Sequence, residues 1–263
     1  MNNQFDRKLT YNGVTFQLTD KSTLDEREIH TYHELLYFIE GEAELLSENN
    51  RRMLTGQSLL VIPKQTYHFM RVLRPQFLRL KISVPQSLEG QIPISDLMRS
   101  LRVIEHFSDG VNFVLHRILQ LMRDGEGEKT AFYTYAAFLM LLEEIDTRVT
   151  ENDGGAVEQL GSVPKIIRYV AQNLGGDLSI AAIAAALNIS PSGVIHSFKK
   201  ELGISLHNYI TQRRLIFARE QIIKGYNPTK IYLDCGYLEY SSFYRAYVKF
   251  FGVSPSREKT SSS

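Results

Sequence analysis

The spacing of apolar and polar residues changes along the chain and divides it into parts. Between Tyr11 and Val84 apolar and polar residues alternate in short runs, as in strands, whereas from Asp96 to Thr150 the spacing is helical. We therefore predict an α+β protein. Residues 1–95 should form a small antiparallel β-barrel of the jelly-roll type, 96–150 a helical hairpin, 151–161 a linker and 162–258 an all-α domain.

Five apolar runs in the first part are predicted as strands, separated by turns at Gly41-Glu42, Ser47–Asn50 and Gly56-Gln57. The runs are Leu35–Ile39, Ala43–Leu46, Leu59–Ile62, His68–Val72 and Phe77–Val84.

Two amphipathic helices are predicted next, Val111–Met122 and Thr130 to about Arg148, with a polar break at Asp124–Glu128. The apolar face of the first comprises Val111, Val114, Leu115, Ile118, Leu119 and Met122, and that of the second Tyr135, Phe138, Leu139 and Leu142. These faces could cover the barrel or pair two copies of the chain, and the pattern does not choose between the two.

The last part contains an internal repeat, since Asn227–Ser254 follows the pattern of Ser179–Ser205. The first halves of the two copies match at an offset of 48 residues and the second halves at 49, so the second turn holds one extra residue. Each copy reads as two short helices joined by a tight turn, which predicts two helix-turn-helix units and hence DNA binding.

Capping residues mark where these helices begin. Ser162, Ser179, Ser190 and Ser205 are the predicted N-caps, and Gly203 is the predicted C-terminal stop. The predicted buried positions are Ile180, Ile183, Ala184, Leu187, Val194, Phe198, Leu202, Ile231, Leu233, Phe243, Tyr247 and Phe251. A connecting helix from Leu206 to about Ile223 would be roughly 27 Å long, and with its end turns could separate the recognition helices by about 34 Å, one turn of B-DNA.

The outer sides of the second helix of each unit supply candidate DNA contacts. They are Ser192, Ile195, His196 and Lys199 in the first unit and Ser241, Tyr244, Arg245 and Lys249 in the second. Arg245 is the best candidate for a bidentate contact to guanine. Arg213 and Arg214 on the connector could contact phosphates or form an internal ion pair.

Charge supports this division. Residues 163–263 hold 13 Lys/Arg and 6 Asp/Glu, a net charge of +7, whereas residues 1–162 carry −6. The single cysteine, Cys235, excludes a disulfide framework and fits a reducing cytoplasm. We expect no leader sequence and no membrane span, because the longest apolar runs are too short.

The C-terminal signature resembles that of the AraC/XylS family. It comprises Ser190-Pro191, Phe198–Gly203, Arg214-Leu215 with Ala218, Gly236-Tyr237, Phe243 and Gly252–Pro255. The resemblance implies seven helices, two helix-turn-helix units and transcriptional control, most often activation. It also implies base-reading roles for Ser192, Ile195, His196, Ser241 and Arg245. Tyr232, where a small alanine is usual, and Val248, where lysine is usual, depart from the pattern.

The N-terminal part resembles the cupin-like sensor domain of the same family, with His30, His33-Glu34, Gly41 and His68 at similar spacing. A sensor of this kind implies a small-molecule effector, and we expect contacts at His30, His33, Tyr37 and His68. A metal site would need His30, His33, Glu40 and His68, but the usual close His-x-His pair is missing. We therefore interpret the histidines as structural and predict no cofactor.

We thus predict a DNA-binding regulator rather than an enzyme, an activator that forms homodimers and contacts double-stranded DNA, RNA polymerase and an effector. Two alternatives stay open. One is a cupin-type metalloenzyme with a helical appendage, and the other is an interaction protein whose helix-turn-helix units no longer bind DNA.

Overall fold

A computed structural model describes residues 5–20, 27–47, 50–74, 76–92, 94, 97–146, 158–159 and 162–258. The chain forms two compact units. The first comprises Met1–Leu46 and Arg51–Glu158, and the second Gln159–Ser263 together with Ser47–Asn50. Most of the predicted linker, 151–161, lies outside the described residues.

The first unit is built on two sheets. Its strands are β1 (Asp6–Tyr11), β2 (Val14–Thr19), β3 (Arg27–Glu28), β4 (His33–Glu40), β5 (Ala43–Ser47), β6 (Asn50–Leu54), β7 (Ser58–Ile62), β8 (His68–Val72), β9 (Leu78–Val84) and β10 (Arg102–Ile104). One sheet has the order β1-β2-β9-β4-β7-β10 with antiparallel pairing throughout, and the other contains β6-β5-β8-β3. The predicted antiparallel strands are confirmed, and closure into a cupin-like barrel stays a prediction.

Strand β4 is buried on both faces. Leu35 and Tyr37 belong to the apolar core that also contains the helices of this unit, whereas Leu36 and Phe38 pack with residues of the second sheet. Because successive side chains of a strand point to opposite faces, β4 separates two layers of core.

The helical hairpin covers the first sheet. It consists of α1 (Asp109–Asp124) and α2 (Gly127–Asp146), preceded by short 3-10 helices at Gln86–Leu88 and Leu97–Arg99. All six residues predicted for the inner face of α1 are buried, and they share one core with the sheet and with Phe138 of α2. In the structure the hairpin therefore has the first of its two predicted roles, which is to cover the sheet.

From residue 162 onward the second unit is all-α, and the two-residue strand β11 (Glu158–Gln159) comprises the last residue of the first unit and the first residue of the segment Gln159–Ser263. Its helices are α3 (Val163–Gln172), α4 (Ile180–Leu187), α5 (Pro191–Leu202), α6 (Leu206–Ile223), α7 (Pro228–Asp234) and α8 (Tyr240–Phe251), followed by a 3-10 helix at Pro255–Arg257. The described part of this unit thus has six α-helices and one 3-10 helix, where the family resemblance implied seven helices. No single helix in the described ranges is long and apolar enough to cross a membrane, although the bent pair α4–α5 passes the same test of length and composition.

Most predicted caps are present, and one is wrong. The hydroxyls of Ser179, Ser190 and Ser205 accept hydrogen bonds from backbone N–H groups in the first turns of α4, α5 and α6. Ser162 has helical backbone angles and makes no capping bond, and its hydroxyl donates to Ser197 instead. An N-cap needs extended backbone to turn its oxygen toward the helix, which explains the difference.

Two predicted core positions are also wrong. Ile180 and Leu233 are 37% and 56% exposed. Both lie in short helices of at most eight residues, which bury only about one turn against their neighbours.

Candidate functional site

The first helix-turn-helix consists of α4 and α5, whose axes meet at 98°. Asn188 ends α4 in the left-handed conformation, with φ of 54°. The N–H groups of Asn188 and Ile189 donate to the carbonyls of Ala185 and Ala184, which is the Schellman pattern of helix ends. The near-right angle and tight turn are those of a DNA-binding helix pair.

The second helix-turn-helix consists of α7 and α8 and repeats this turn 48 residues later. Gly236 takes the left-handed position, with φ of 74°, and the N–H groups of Gly236 and Tyr237 donate to the carbonyls of Leu233 and Tyr232. The chain then needs one more residue before α8 begins. Leu238 is that residue, and it is 92% exposed.

The recognition helices α5 and α8 match at an offset of 49 residues. Both are held by a buried aromatic residue, Phe198 in α5 and Tyr247 in α8, and both end at a left-handed glycine. The predicted DNA-contacting residues on their outer sides are all exposed: Ser192, Ile195, His196, Lys199, Ser241, Tyr244, Arg245 and Lys249. The offset of 49 residues aligns Ser192, Ile195 and His196 with Ser241, Tyr244 and Arg245. Each recognition helix therefore presents an equivalent set of three side chains to solvent.

A polar network that sequence reasoning missed holds α8 in place. The Tyr247 hydroxyl donates to Glu258 at 2.9 Å, and the Arg219 guanidinium of α6 lies 3.0 Å from the same carboxylate. The guanidinium also lies over the Phe251 ring, 4.6 Å from its centroid. Burial raises the pKa of Tyr247, so this hydroxyl stays a donor. Glu258 follows the last α-helix, where no periodicity could identify it as a partner of α6.

The side chain of Arg214 is bonded within the second unit. Its guanidinium donates two bonds of 2.9 Å to the backbone carbonyls of Leu174 and Gly176, which connect α3 to α4. These bonds favour the internal role of Arg214 over the predicted phosphate contact. In the structure Arg214 has an internal role, although its partners are backbone carbonyls and not an acidic side chain. Arg213 is half-buried, and its contact with DNA stays a prediction.

The two departures from the family pattern leave the second turn intact. Tyr232 is half-buried, and its ring meets that of Tyr240 edge-on at 5.7 Å, so the larger side chain packs under the start of α8. The hydrogen bonds of this turn are the same as those in the turn of the first helix-turn-helix. Val248 is half-buried on α8 and supplies no charge where Lys199 stands in α5.

In the first unit, His30 and His68 meet Glu34, all three buried between strands. The distances are 3.4 Å from His30 Nε2 to Glu34 Oε2 and 4.0 Å from His68 Nε2 to Glu34 Oε1. Burial by itself would raise the pKa of Glu34, but the imidazoles of His30 and His68 lower it to about 2. Burial lowers the pKa of His68, against the opposing effect of Glu34.

The other predicted ligand residues lie elsewhere. His33 Nε2 donates to Glu89 at 2.6 Å, its Nδ1 accepts from the Lys64 backbone N–H, and burial lowers its pKa. Tyr37 shares its face of β4 with His33 and packs against Phe107, opposite to the face of Glu34. The four predicted effector contacts are thus divided between two places.

Glu40, the carboxylate that a metal site would need according to the sequence, is exposed at the end of β4. Glu34 takes its place, because it is the acidic residue of β4 whose side chain lies beside the histidines.

Two helix pairs with polar and basic outer faces define the second unit as a double helix-turn-helix domain, a class of DNA-binding domain. Residues 183–260 match the family model described as "Helix-turn-helix domain".

Curated relatives agree with this class. "Probable transcriptional regulator LumQ" of Photobacterium leiognathi is 31% identical over 106 residues, 40% of this chain and 42% of that protein. "XylDLEGF operon transcriptional activator 2" of Pseudomonas putida is 28% identical over 131 residues, 47% of this chain and 80% of that protein. "Uncharacterized HTH-type transcriptional regulator YobQ" of Bacillus subtilis (strain 168) is 24% identical over 228 residues, 86% and 85% of the two chains. The match spans less than half the length of LumQ and most of the other two.

In its helix-turn-helix part, the chain is similar in sequence to these transcriptional regulators. These relatives are named as regulators and not as enzymes, which argues against the metalloenzyme alternative.

Proposed function

We propose that this regulator binds double-stranded DNA by placing α5 and α8 in successive major-groove segments. The observation that carries the proposal is the repeat of the whole helix-turn-helix geometry, with equivalent exposed residues 49 positions apart. In α8, Arg245 would read a guanine. In α5, Ile195 would contact a thymine methyl group beside His196.

We further propose that the first unit binds a small-molecule effector and that the effector selects between two arrangements of the regulator. The effector can shift the equilibrium between the two arrangements only by as much as its binding free energies for them differ. The exposed apolar side chains Phe113, Phe132 and Met140 on α1 and α2 support pairing of two copies through the hairpin. The activator name of a relative supports activation through RNA polymerase.

The test begins with selection of bound sites from a random DNA pool, followed by affinity measurements on the selected site and on random duplex. Arg245→Ala should weaken binding to the selected site by about 1–3 kcal/mol if Arg245 reads a base. Arg168→Ala removes the same charge from an exposed position on α3, outside both recognition helices, and serves as the control.

Equal losses on selected and random DNA would make Arg245 a phosphate contact. Binding must also weaken steeply as salt is added, because phosphate contacts release counterions. A chain that selects no site and ignores duplex DNA at low ionic strength would contradict the proposal and favour the interaction-protein alternative.

A further inference from the structure

Three electron-pair donors converge in the interior of the first unit. His30, Glu34 and His68 are 7%, 1% and 6% exposed, and one ligand atom of each lies within 4.8 Å of those of the other two. They come from three places in the chain: the segment before β4, β4 itself, and the start of β8.

Backbone carbonyls fix the tautomers of both histidines. His30 Nδ1 lies 2.6 Å from the Tyr32 carbonyl, and His68 Nδ1 lies 3.1 Å from the Thr66 carbonyl. A carbonyl oxygen only accepts, so each Nδ1 carries the hydrogen. In the neutral form of each ring, Nε2 therefore presents a lone pair toward the Glu34 carboxylate, as in metal sites where the second ring nitrogen is held by an outer partner.

This arrangement lacks a positive partner within the group. His30 Nε2 and Glu34 Oε2 are both buried without a hydrogen-bond partner. Leaving such atoms unsatisfied in the interior is destabilising, and most so for a charged group. A cation between the three side chains would satisfy all of them together.

We propose that His30, Glu34 and His68 form a mononuclear site for a divalent transition-metal ion such as Zn²⁺. Ligand atoms on a tetrahedral zinc ion lie about 3.3 Å apart, given bonds of about 2.0–2.1 Å. The 3.4 Å from His30 Nε2 to Glu34 Oε2 already fits, and the 4.0 Å to His68 needs only a small closure. Two imidazoles and one carboxylate leave a coordination position for water or an effector oxygen.

The site also differs from the set of four residues named from the sequence as the one a metal site would need. His33 is not a ligand, because its Nε2 is bonded to Glu89, which is itself paired with Lys64. His30 is further fixed by Tyr32, whose ring stacks on it at 4.0 Å and 6°. The inference does not depend on DNA binding, since all of these residues lie in the first unit.

The test uses the full chain stripped of metal with a chelator and titrated with Zn²⁺ alone, with Co²⁺ absorption as a second probe. We expect one ion per chain and thermal stabilisation by Zn²⁺. His68→Ala and Glu34→Gln should each weaken binding by at least about 100-fold, since loss of an outer partner alone typically costs 10–100-fold.

His33→Gln is the matched control, because it changes a histidine of equal burial that is bonded elsewhere, and it should keep one tightly bound ion. Absence of a stoichiometric ion in the wild type, or equal affinity in all variants, would overturn the site. If the His68 and Glu34 variants do not fold, X-ray absorption of the zinc-loaded wild type decides. Two imidazole ligands support the site, and fewer contradict it. DNA binding measured on the same preparations reports separately on the regulator function.

Discussion

Asn188 and Gly236 hold the same left-handed position in the two helix-turn-helix turns, but their surroundings differ. A Cβ atom on Gly236 would lie 2.5 Å from Arg214 Nη2 and 2.9 Å from the Leu174 carbonyl oxygen. The guanidinium cannot move away freely, because it is bonded to two backbone carbonyls. Glycine at 236 is thus required by space as well as by conformation.

We predict that Gly236→Ala destabilises the second unit by about 2–4 kcal/mol, from left-handed backbone strain and steric overlap together. Gly252→Ala is the control, since Gly252 has nearly the same φ of 73° but nothing within 4 Å of an added Cβ. It should cost only about 1–2 kcal/mol. Chemical denaturation of both variants measures the difference, and equal losses would show that the contact with Arg214 is unimportant.

At the residue scale, the sequence identified which side chains are exposed on the recognition helices, because helical spacing assigns faces. It did not identify the partners of isolated polar residues. Glu34, and not Glu40, joins His30 and His68, a choice made by the facing of β4 against β8. Arg214 and Glu258 find partners 38 to 40 and 39 residues away, respectively, and no local pattern encodes such contacts.

At the scale of elements, capping separates helices that are alike in sequence. Ser190 and Ser162 both precede a proline-containing first turn, yet only Ser190 has the extended backbone of a cap and accepts from the Gly193 N–H at 3.1 Å. Ser190 thereby fixes where recognition helix α5 begins.

Ser190→Ala should therefore destabilise the second unit by about 1 kcal/mol through loss of the cap. Ser162→Ala, the same change at a position that makes no capping bond, should cost less than about 0.5 kcal/mol. Thermal unfolding followed by circular dichroism distinguishes the two. A larger loss at Ser162 would mean that its bond to Ser197 matters more than the cap.

Among the strands that sequence reasoning missed, β1 and β6 have little apolar content or lie at an edge. β1 is the edge strand of its sheet and none of its residues is buried, and β6 has the polar sequence NRRML. Hydrogen bonding to neighbouring strands defines them, and that information is absent from hydrophobic spacing. The long helices α1 and α2 were predictable to within a few residues, because several turns of one apolar face leave a clear period. The start of α6 was predictable from its cap, Ser205.

At the scale of the whole molecule, the charges are separated by unit. The +7 charge of residues 163–263 lies with the helix-turn-helix pairs, whereas residues 1–162 carry −6. The second unit also has its own apolar core, including Leu215, Ile231 and Phe243.

We predict that a fragment of residues 159–263 folds by itself and binds short random duplexes more tightly than the full chain at low salt, by about tenfold. Removing the acidic part raises the net charge that attracts phosphates. The advantage should shrink as salt screens it. Anisotropy titrations across a salt series provide the measurement, and an unfolded or weaker-binding fragment would contradict the prediction.

Helix α6 has a further consequence, because only short turns join it to α5 and to α7. Each residue of an α-helix adds about 100° of rotation and 1.5 Å of rise. Inserting a single residue into α6 would turn one pair away from the other, whereas inserting one beside exposed Leu238 would only lengthen a surface turn. The number of residues in α6 thus sets the rotation of one helix pair relative to the other, and with it whether both could read the same side of a duplex. Length variation within this helix should therefore be far less tolerated than at the turns.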